Sequence, residues 1–512
     1  MNPRFKKILL LVLAVVMLVS STFMQRQLTR DRDALGLTRV TPLENAPPLL
    51  AFTTVALGGF RGLIANFLWI RATELQEEDK FFEMAQLSDW ITKLEPHFAA
   101  VWVFQAWNMS YNISVKFKDY PDRWRWVERG VELLRDEGLK YNPNDPLLYR
   151  ELAWHFQHKM GANLDDANVY YKNQWLKEMS DVFSKGEPNL EELLSPKTPE
   201  ALQRLEILTN RYKMDPVFLK QVNEKYGPLE WRLPEAHAIY WAALGLEKAR
   251  EHPTKVKPED LMQLRRAIYQ SMQLSFQRGR LNADPYTKTF DTLPNLDIVQ
   301  KVSDAYEQAM IDEPGMLVNI QNAHRNLLIN ASYFLYENDR IPEALKWYRL
   351  LGEKYPDKPI ISSQPGSLPG KITLEEFALA RIVEDVSETS RDRVRAAIQG
   401  QTVMGYRELI LGNKKRYEGL HHLSRVLRAT YMKKIGGNQG RIDAIGLPPI
   451  EEMEGEVLRT ILDPEKEVWP YEMRAALRAA LNMPAEPLPV NKPDSVPPTA
   501  STNMPPTAAT PR

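Results

Sequence analysis

LEPHFAAVWVFQAWNMSYNI, residues Leu94–Ile113, returns in altered form 47 residues later as YNPNDPLLYRELAWHFQHKM, Tyr141–Met160. Pro96 falls on Pro143, Trp102 on Tyr149, Ala106 on Ala153 and Trp107 on Trp154. Each Pro follows what reads as a helix end, SDWITKLEP or RDEGLKYNP, and each Ala-Trp pair lies on the helix that comes next. Pro punctuation followed by apolar residues at helical spacing makes this one helical unit used twice. Units of this kind cannot bury their apolar faces alone and do so by stacking on their neighbours.

From Arg71 onward the chain keeps the same character. Apolar residues recur at three and four, alternating β-branched runs are scarce, and turns are marked by Pro with Asn or Asp, as in KMDPVF, RLPEAH and KYPDKP. The most regular unit is Asn322–Pro356. Its first helix aligns Leu327, Leu328, Ala331, Phe334 and Leu335 on one face, and Glu337-Asn338-Asp339-Arg340 turns the chain. Pro342 then sits in the first turn of the second helix, where a missing N–H is tolerated. Ala344, Tyr348, Leu351 and Tyr355 share a face of that helix, and Pro356 stops it.

This unit resembles a tetratricopeptide repeat: a small residue where two helices approach, an aromatic one turn on, and a closing Pro 12 residues after the Ala. Leu328 and Ser332 replace the Trp and Gly usual in its first helix. Trp241-Ala-Ala-Leu244-Gly245 reproduces the W-x-x-L-G opening of such a helix, with Gln263–Gly279 as its partner and His252-Pro253 displacing the usual close. The 47-residue period of the opening pair exceeds the family's period of about 34 and implies longer helices or an inserted turn. The resemblance is to divergent, membrane-anchored bacterial proteins of this type. It implies an all-α fold: an N-terminal transmembrane helix followed by an α-solenoid of hairpins whose concave face binds extended peptide or a partner's helix.

The membrane enters through the N-terminus. Arg4, Lys6 and Lys7 precede the uncharged run Ile8–Met24, about 25 Å of helix and so at the short end of a bilayer span. A retained anchor is expected, with a cleaved signal peptide as the competing reading, since Val19-Ser20-Ser21 is a poor cleavage site. Arg26, Arg30 and Arg32 follow the run, so basic residues stand three against three and orientation is not set by them. Leu49–Ile70 is a second apolar stretch with one charge, Arg61, and with Gly58 and Gly62 four apart. It reads as a buried helix on which the soluble domain docks; the competing reading is a second span, which a pore or transport component would need. The expected organisation is 1–30 anchor or signal peptide, 45–72 hydrophobic segment, 73–356 tetratricopeptide-like repeats, 357–372 linker, 373–483 helical region and 484–512 Pro-rich disordered tail. Thr373-Leu-Glu-Glu376 is a capping box that opens a helix after the linker.

Composition excludes several functions. Lys plus Arg and Asp plus Glu are 66 each, so no net charge attracts the chain to nucleic acid. Cysteine is absent, which removes disulfides, thiolate nucleophiles and Cys-ligated zinc. There is no phosphate-binding G-x-x-x-x-G-K-[ST] and no G-x-S-x-G, and Gly436-Gly437-Asn438-Gln439-Gly440 reads as a helix stop rather than a nucleotide loop. Glu151, His155 and His158 share a helix face at i, i+4 and i+7, but no fourth ligand or HExxH accompanies them, so no metal is expected. His421 and His422, being adjacent, do not share a face. Eight of the twelve Trp lie between Trp69 and Trp175. They read as knobs between paired helices, with a stacking or glycan groove as the alternative. No catalytic, cofactor-binding or metal-ligating residue is assigned. The contact surface is expected at first-helix positions Trp102, Gln105, Asn108, Tyr149 and Glu151. The functional expectation is a scaffold or adaptor without catalysis, in the inner (cytoplasmic) membrane with its domain outside the cytoplasm, binding membrane or envelope proteins. The alternative is a helical enzyme or accessory subunit acting on envelope glycans or lipids through the aromatic-rich first half.

Overall fold

The computed structural model describes residues 16–31 apart from 18, 25 and 29, and residues 61–486 apart from 163, 185–187, 252–255, 285–288, 362–363, 385–390, 436–445 and 467. The described chain is helical almost throughout, and its one sheet is a two-stranded hairpin. Among the described residues no helix is long and apolar enough to cross a membrane. Residues 16–31 are helical with exposed side chains, while residues 1–15, 32–60, the GGNQG loop and nearly all of the Pro-rich tail lie outside the described residues. The chain divides into two compact units, Met1–Gly279 and Arg280–Arg512, so the division falls inside the stretch read as a repeat array.

The first unit is a succession of helical hairpins. α1 (Arg61–Glu77) turns at Asp79, which has a left-handed φ of 57°, into α2 (Phe81–Leu94). α3 (Ala99–Trp107) runs on as a π-helical turn, Asn108–Ile113, and is paired with α4 (Tyr120–Glu132). α5 (Pro146–Trp154) likewise continues as a π-helical turn, His155–Gly161, followed by α6 (Asn168–Phe183). After α7 (Pro199–Glu206) and α8 (Pro216–Tyr226) come the long pair α9 (Pro234–Glu251) and α10 (Pro258–Arg278). Local chemistry sets the starts. Asp145, Thr198 and Asp215 each accept a hydrogen bond from a first-turn N–H, at 3.0, 3.1 and 2.8 Å, and each precedes a Pro that needs no partner there.

The 47-residue correspondence is present in the geometry. The Trp102 indole N–H donates to the Pro96 carbonyl at 2.9 Å, and the Tyr149 hydroxyl donates to the Pro143 carbonyl at 2.6 Å. In both units a buried aromatic at the sixth position after the Pro thus satisfies a carbonyl that the turn leaves without a helical partner. Two of the four π-helical turns of this unit's described residues also begin 47 residues apart, at Asn108 and His155. A similar ring-to-carbonyl bond, outside the repeat and without the Pro, lies on α9, where the buried His237 Nε2–H donates to the Trp231 carbonyl, six residues back, at 2.8 Å.

Helices approach closely where small residues face each other. A Cβ on Gly130 of α4 would lie 3.0 Å from the Ala106 carbonyl oxygen and closer still to the Ser110 hydroxyl. On Gly245 of α9 it would lie 2.6 Å from the Tyr149 Cβ of α5. The W-x-x-L-G glycine therefore marks the crossing of α9 over α5.

In the second unit β1 (Arg280–Asp284) pairs antiparallel with β2 (Thr289–Leu293), with Asn282 opposite Asp291. Helix α11 (Val299–Asp312) precedes the hairpin α12 (Leu317–Glu337) and α13 (Ile341–Lys354). That hairpin is the Asn322–Pro356 unit, its first helix starting five residues earlier than the sequence pattern suggested. It turns at Asp339 with φ 57°, and Ala331, Ala344 and Leu351 are fully buried between its helices. Thr373 and Glu376 form the reciprocal capping box, with N–H bonds of 2.8 and 3.1 Å, at the head of α14 (Leu374–Glu384). α15 (Arg391–Ile410), α16 (Lys414–Ile435), α17 (Ile450–Leu462) and α18 (Tyr471–Ala480) close the unit around two apolar clusters, one on Ile398 and Met453, the other on Ile461 and Leu477.

Candidate functional site

In the first unit, α3, α5 and α10 line an open groove of about 870 Å³. Each contributes one stripe at helical spacing. From α3 come Ala100, Val103, Phe104 and Trp107; from α5 come Leu147, Arg150, Glu151 and Trp154. These two sets are the same positions of the 47-residue unit, since each member of the second lies 47 residues after its counterpart. α10 supplies Gln263, Arg266, Ala267 and Gln270, and Trp69 of α1 closes one end. The groove runs on into a smaller hollow of about 310 Å³ between Trp154, His158, Gln273 and Gln277.

The two repeat-equivalent tryptophans are braced from behind. Trp107 stacks on Tyr111 (centroids 5.7 Å, 18° between planes), and Trp154 on His158 (4.3 Å, 12°). The Tyr111 hydroxyl and His158 Nδ1, 3.1 Å apart, join the two stacks. Burial raises the Tyr111 pKa well above that of a free phenol, with the Glu151 charge adding to it, and burial followed by the Lys159 charge lowers that of His158. Both rings are therefore neutral at pH 7. Trp154 remains 39% exposed and is the most open aromatic of the floor.

A charged belt secures the end of the groove. Lys159 is buried and bonds Asp165 at 2.6 Å, and Asp165 also accepts from the Tyr171 hydroxyl and from Arg123. Arg278 bonds Glu235 at 2.8 Å and donates to the Gly161 carbonyl. Beside them the Lys172 amine is lowered to about 8, by burial first and by the Arg278 charge second. Such pairs hold the chain reversal after the π-helical turn His155–Gly161; removing one partner would leave a buried charge unpaired. Within the groove itself Arg150 lies 3.5 Å from Glu151, whereas the exposed Arg266 has no carboxylate partner among the described residues.

The expected contact residues fall on two sides of their helices. Trp102, Gln105, Asn108 and Tyr149 are buried, at 3%, 3%, 0% and 4% exposure, and make packing or turn-satisfying contacts. The Asn108 amide donates to the Phe81 carbonyl at 3.2 Å, and Gln105 to the Ala85 carbonyl at 3.4 Å. Of the five only Glu151 reaches the groove. The groove opens on the neighbouring stripe, through Trp107, Arg150 and Trp154. The missed signal was the row of glutamines on α10, at 263, 270, 273 and 277.

Glu151, His155 and His158 do not converge on a common point. His155 is fully buried and donates through Nδ1 to the Glu151 carbonyl at 2.8 Å, while His158 turns to Tyr111. In the second unit His421 Nδ1 meets Glu454 at 2.6 Å and His422 Nε2 meets the Tyr336 hydroxyl at 3.2 Å, on different sides of α16. The chain matches no family model, no curated protein and no solved structure.

Proposed function

We propose that the chain is a membrane-anchored scaffold of tetratricopeptide-like hairpins that holds an extended segment of a protein partner at the bacterial cell envelope, with no chemistry of its own. The observation that carries this reading is the groove: three helices turn matching stripes into one open channel, and two of those stripes are the same positions of a repeated unit. Repetition of a lining position along a channel suits a ligand that is itself extended. Anchorage rests on the apolar runs Ile8–Met24 and Leu49–Ile70. The end of the second run supports it, because Leu63, Phe67 and Ile70 form an i, i+4, i+7 stripe on α1 that is 57–69% exposed, as suits contact with lipid. The domain is placed outside the cytoplasm, beside an inner-membrane or envelope partner.

The test is recovery of a tagged chain from gently solubilised native membranes, wild type beside Trp154→Ala. A near-stoichiometric protein recovered with the wild type and depleted with the variant is expected. Equal recovery of the same protein with both would place binding elsewhere and overturn the reading.

A further inference from the structure

Resting on that reading of the groove, we propose that its occupant is a proline-rich segment in the polyproline II conformation that carries at least one Asp or Glu. The shape of the aromatic floor is the first argument. Trp107 and Trp154 are each stacked on one side by Tyr111 or His158, so each offers the channel a flat, rigid apolar face. Pyrrolidine rings pack on such faces, and their fixed φ means the segment loses little conformational freedom on binding.

Hydrogen-bond polarity is the second argument. A polyproline II segment has no internal hydrogen bonds, and its prolines have no N–H, so it needs donors for its carbonyls and few acceptors. The facing wall is a row of side-chain amides. Gln263, Gln270 and Gln277 lie seven residues apart on α10. At 1.5 Å per residue that is about 10.5 Å between successive amides, close to the roughly 9.3 Å of one three-residue polyproline II turn. One amide can thus serve a carbonyl on each turn over about 21 Å of groove. Gln157 already donates to the Gln270 oxygen at 3.3 Å, which turns the Gln270 amide N–H₂ away from that bond and leaves it to donate.

Charge is the third. Arg150 stands beside Glu151, but Arg266 lies exposed in the same channel without a carboxylate partner among the described residues. An acidic side chain on the occupant supplies one. A β-strand occupant is disfavoured because this unit offers no sheet edge among its described residues, and a helix would place an apolar face against the glutamine row.

The experiment is equilibrium binding of labelled synthetic probes to the full chain in detergent, followed by fluorescence anisotropy. The probes are a twelve-residue peptide of repeated Pro-Pro-Glu, its Pro-Pro-Gln counterpart, a Ser/Ala/Glu peptide of equal length without proline, and an anionic oligosaccharide. Variants are Trp154→Ala and Arg266→Gln, both at exposed positions, with circular dichroism as the check that each remains folded. The Pro-Pro-Glu peptide is expected to bind, about tenfold more weakly to Trp154→Ala, and several-fold more weakly to Arg266→Gln, matching the Pro-Pro-Gln peptide on the wild type. Equal binding of the proline-free peptide, lost in Trp154→Ala, overturns the polyproline inference and leaves the scaffold reading standing. Binding of the oligosaccharide alone overturns both. Binding of no probe at millimolar concentration overturns the inference, and the scaffold reading then stands or falls by the membrane recovery.

Discussion

Replacing Gly245 by Ala separates two accounts of that glycine by the sign of its effect. As a plain helix-interior residue of α9, Gly gives way to Ala with a gain of up to about 1 kcal/mol. The structure points the other way, because the new methyl would lie 2.6 Å from the Tyr149 Cβ and 3.1 Å from both its Cγ and the Leu264 Cδ2. Leu264 can rotate away. Tyr149 cannot, since its Cβ is fixed by the α5 backbone and its hydroxyl is held by the Pro143 carbonyl at 2.6 Å. Restoring a carbon–carbon contact of about 3.6 Å requires α5 and α9 to part by about 1 Å. Overpacking of this kind costs about 1–3 kcal/mol, so after the helix gain a net loss of about 1 kcal/mol is expected. Gly455 on α17 is the control, having no atom within 4 Å of its missing Cβ, and its Ala variant should be neutral or stabilised. Urea unfolding of the full chain is followed by tryptophan fluorescence for Gly245, in the first unit with ten of the twelve Trp, and by circular dichroism for Gly455, in the second unit. Stabilisation of Gly245→Ala to the same extent as Gly455→Ala would refute the close crossing of α5 and α9, and with it the packing that backs the groove.

Three further outcomes are expected. Tyr149→Phe removes the donor to the Pro143 carbonyl and should cost about 1 kcal/mol in the same unfolding assay, whereas Trp102→Phe should cost less for its bond, because the Asn142 amide still donates to the Pro96 carbonyl at 2.8 Å. His237 is fully buried, and burial lowers its pKa to about 4 against the donated bond to Trp231. Because the folded value lies below the unfolded one, the unfolded chain binds the extra proton between about pH 6.5 and 4. Stability is complete above that window and is lost as pH falls through it, by on the order of 3 kcal/mol. His237→Gln keeps a donor for the carbonyl and should lose less between pH 7 and pH 4.5, which urea midpoints at the two pH values measure. Thr373→Ala removes the capping box of α14 and should lower local protection of its first turn by about 1 kcal/mol in hydrogen exchange, with the first unit unchanged.

The helices and their turns were legible because local physics dictates them. Pro96 and Pro143 end one helix and set up the next, Asp339 takes the left-handed turn, and Thr373 with Glu376 closes a cap within four residues. The open side of the groove was not legible. The stretch AAVWVFQAW is apolar on almost every side, so spacing alone could not say whether Trp102 or Trp107 faces the channel. What decides is a contact 6 residues away in sequence, the Trp102 bond to the Pro96 carbonyl, together with a partner wall on α10 that lies more than 150 residues further on. The same long range explains Gln105 and Asn108, polar residues that look like contact groups but satisfy carbonyls of α2. The β-hairpin at Arg280–Leu293 was missed because RLNAD and TFDTL are short and polar and gain their pairing only from each other.

The most direct measurement is site-specific photo-cross-linking in living cells, with a photoreactive residue at Gln270 in the groove and, separately, at Arg125, which is exposed on α4 and lies outside the groove. If the groove holds a partner's extended segment, the Gln270 position yields one predominant cross-linked protein, mapped by digestion to a single short stretch, and Arg125 does not. A product common to both positions, or none at Gln270 from cells whose membranes still yield a stoichiometric partner, would contradict the account.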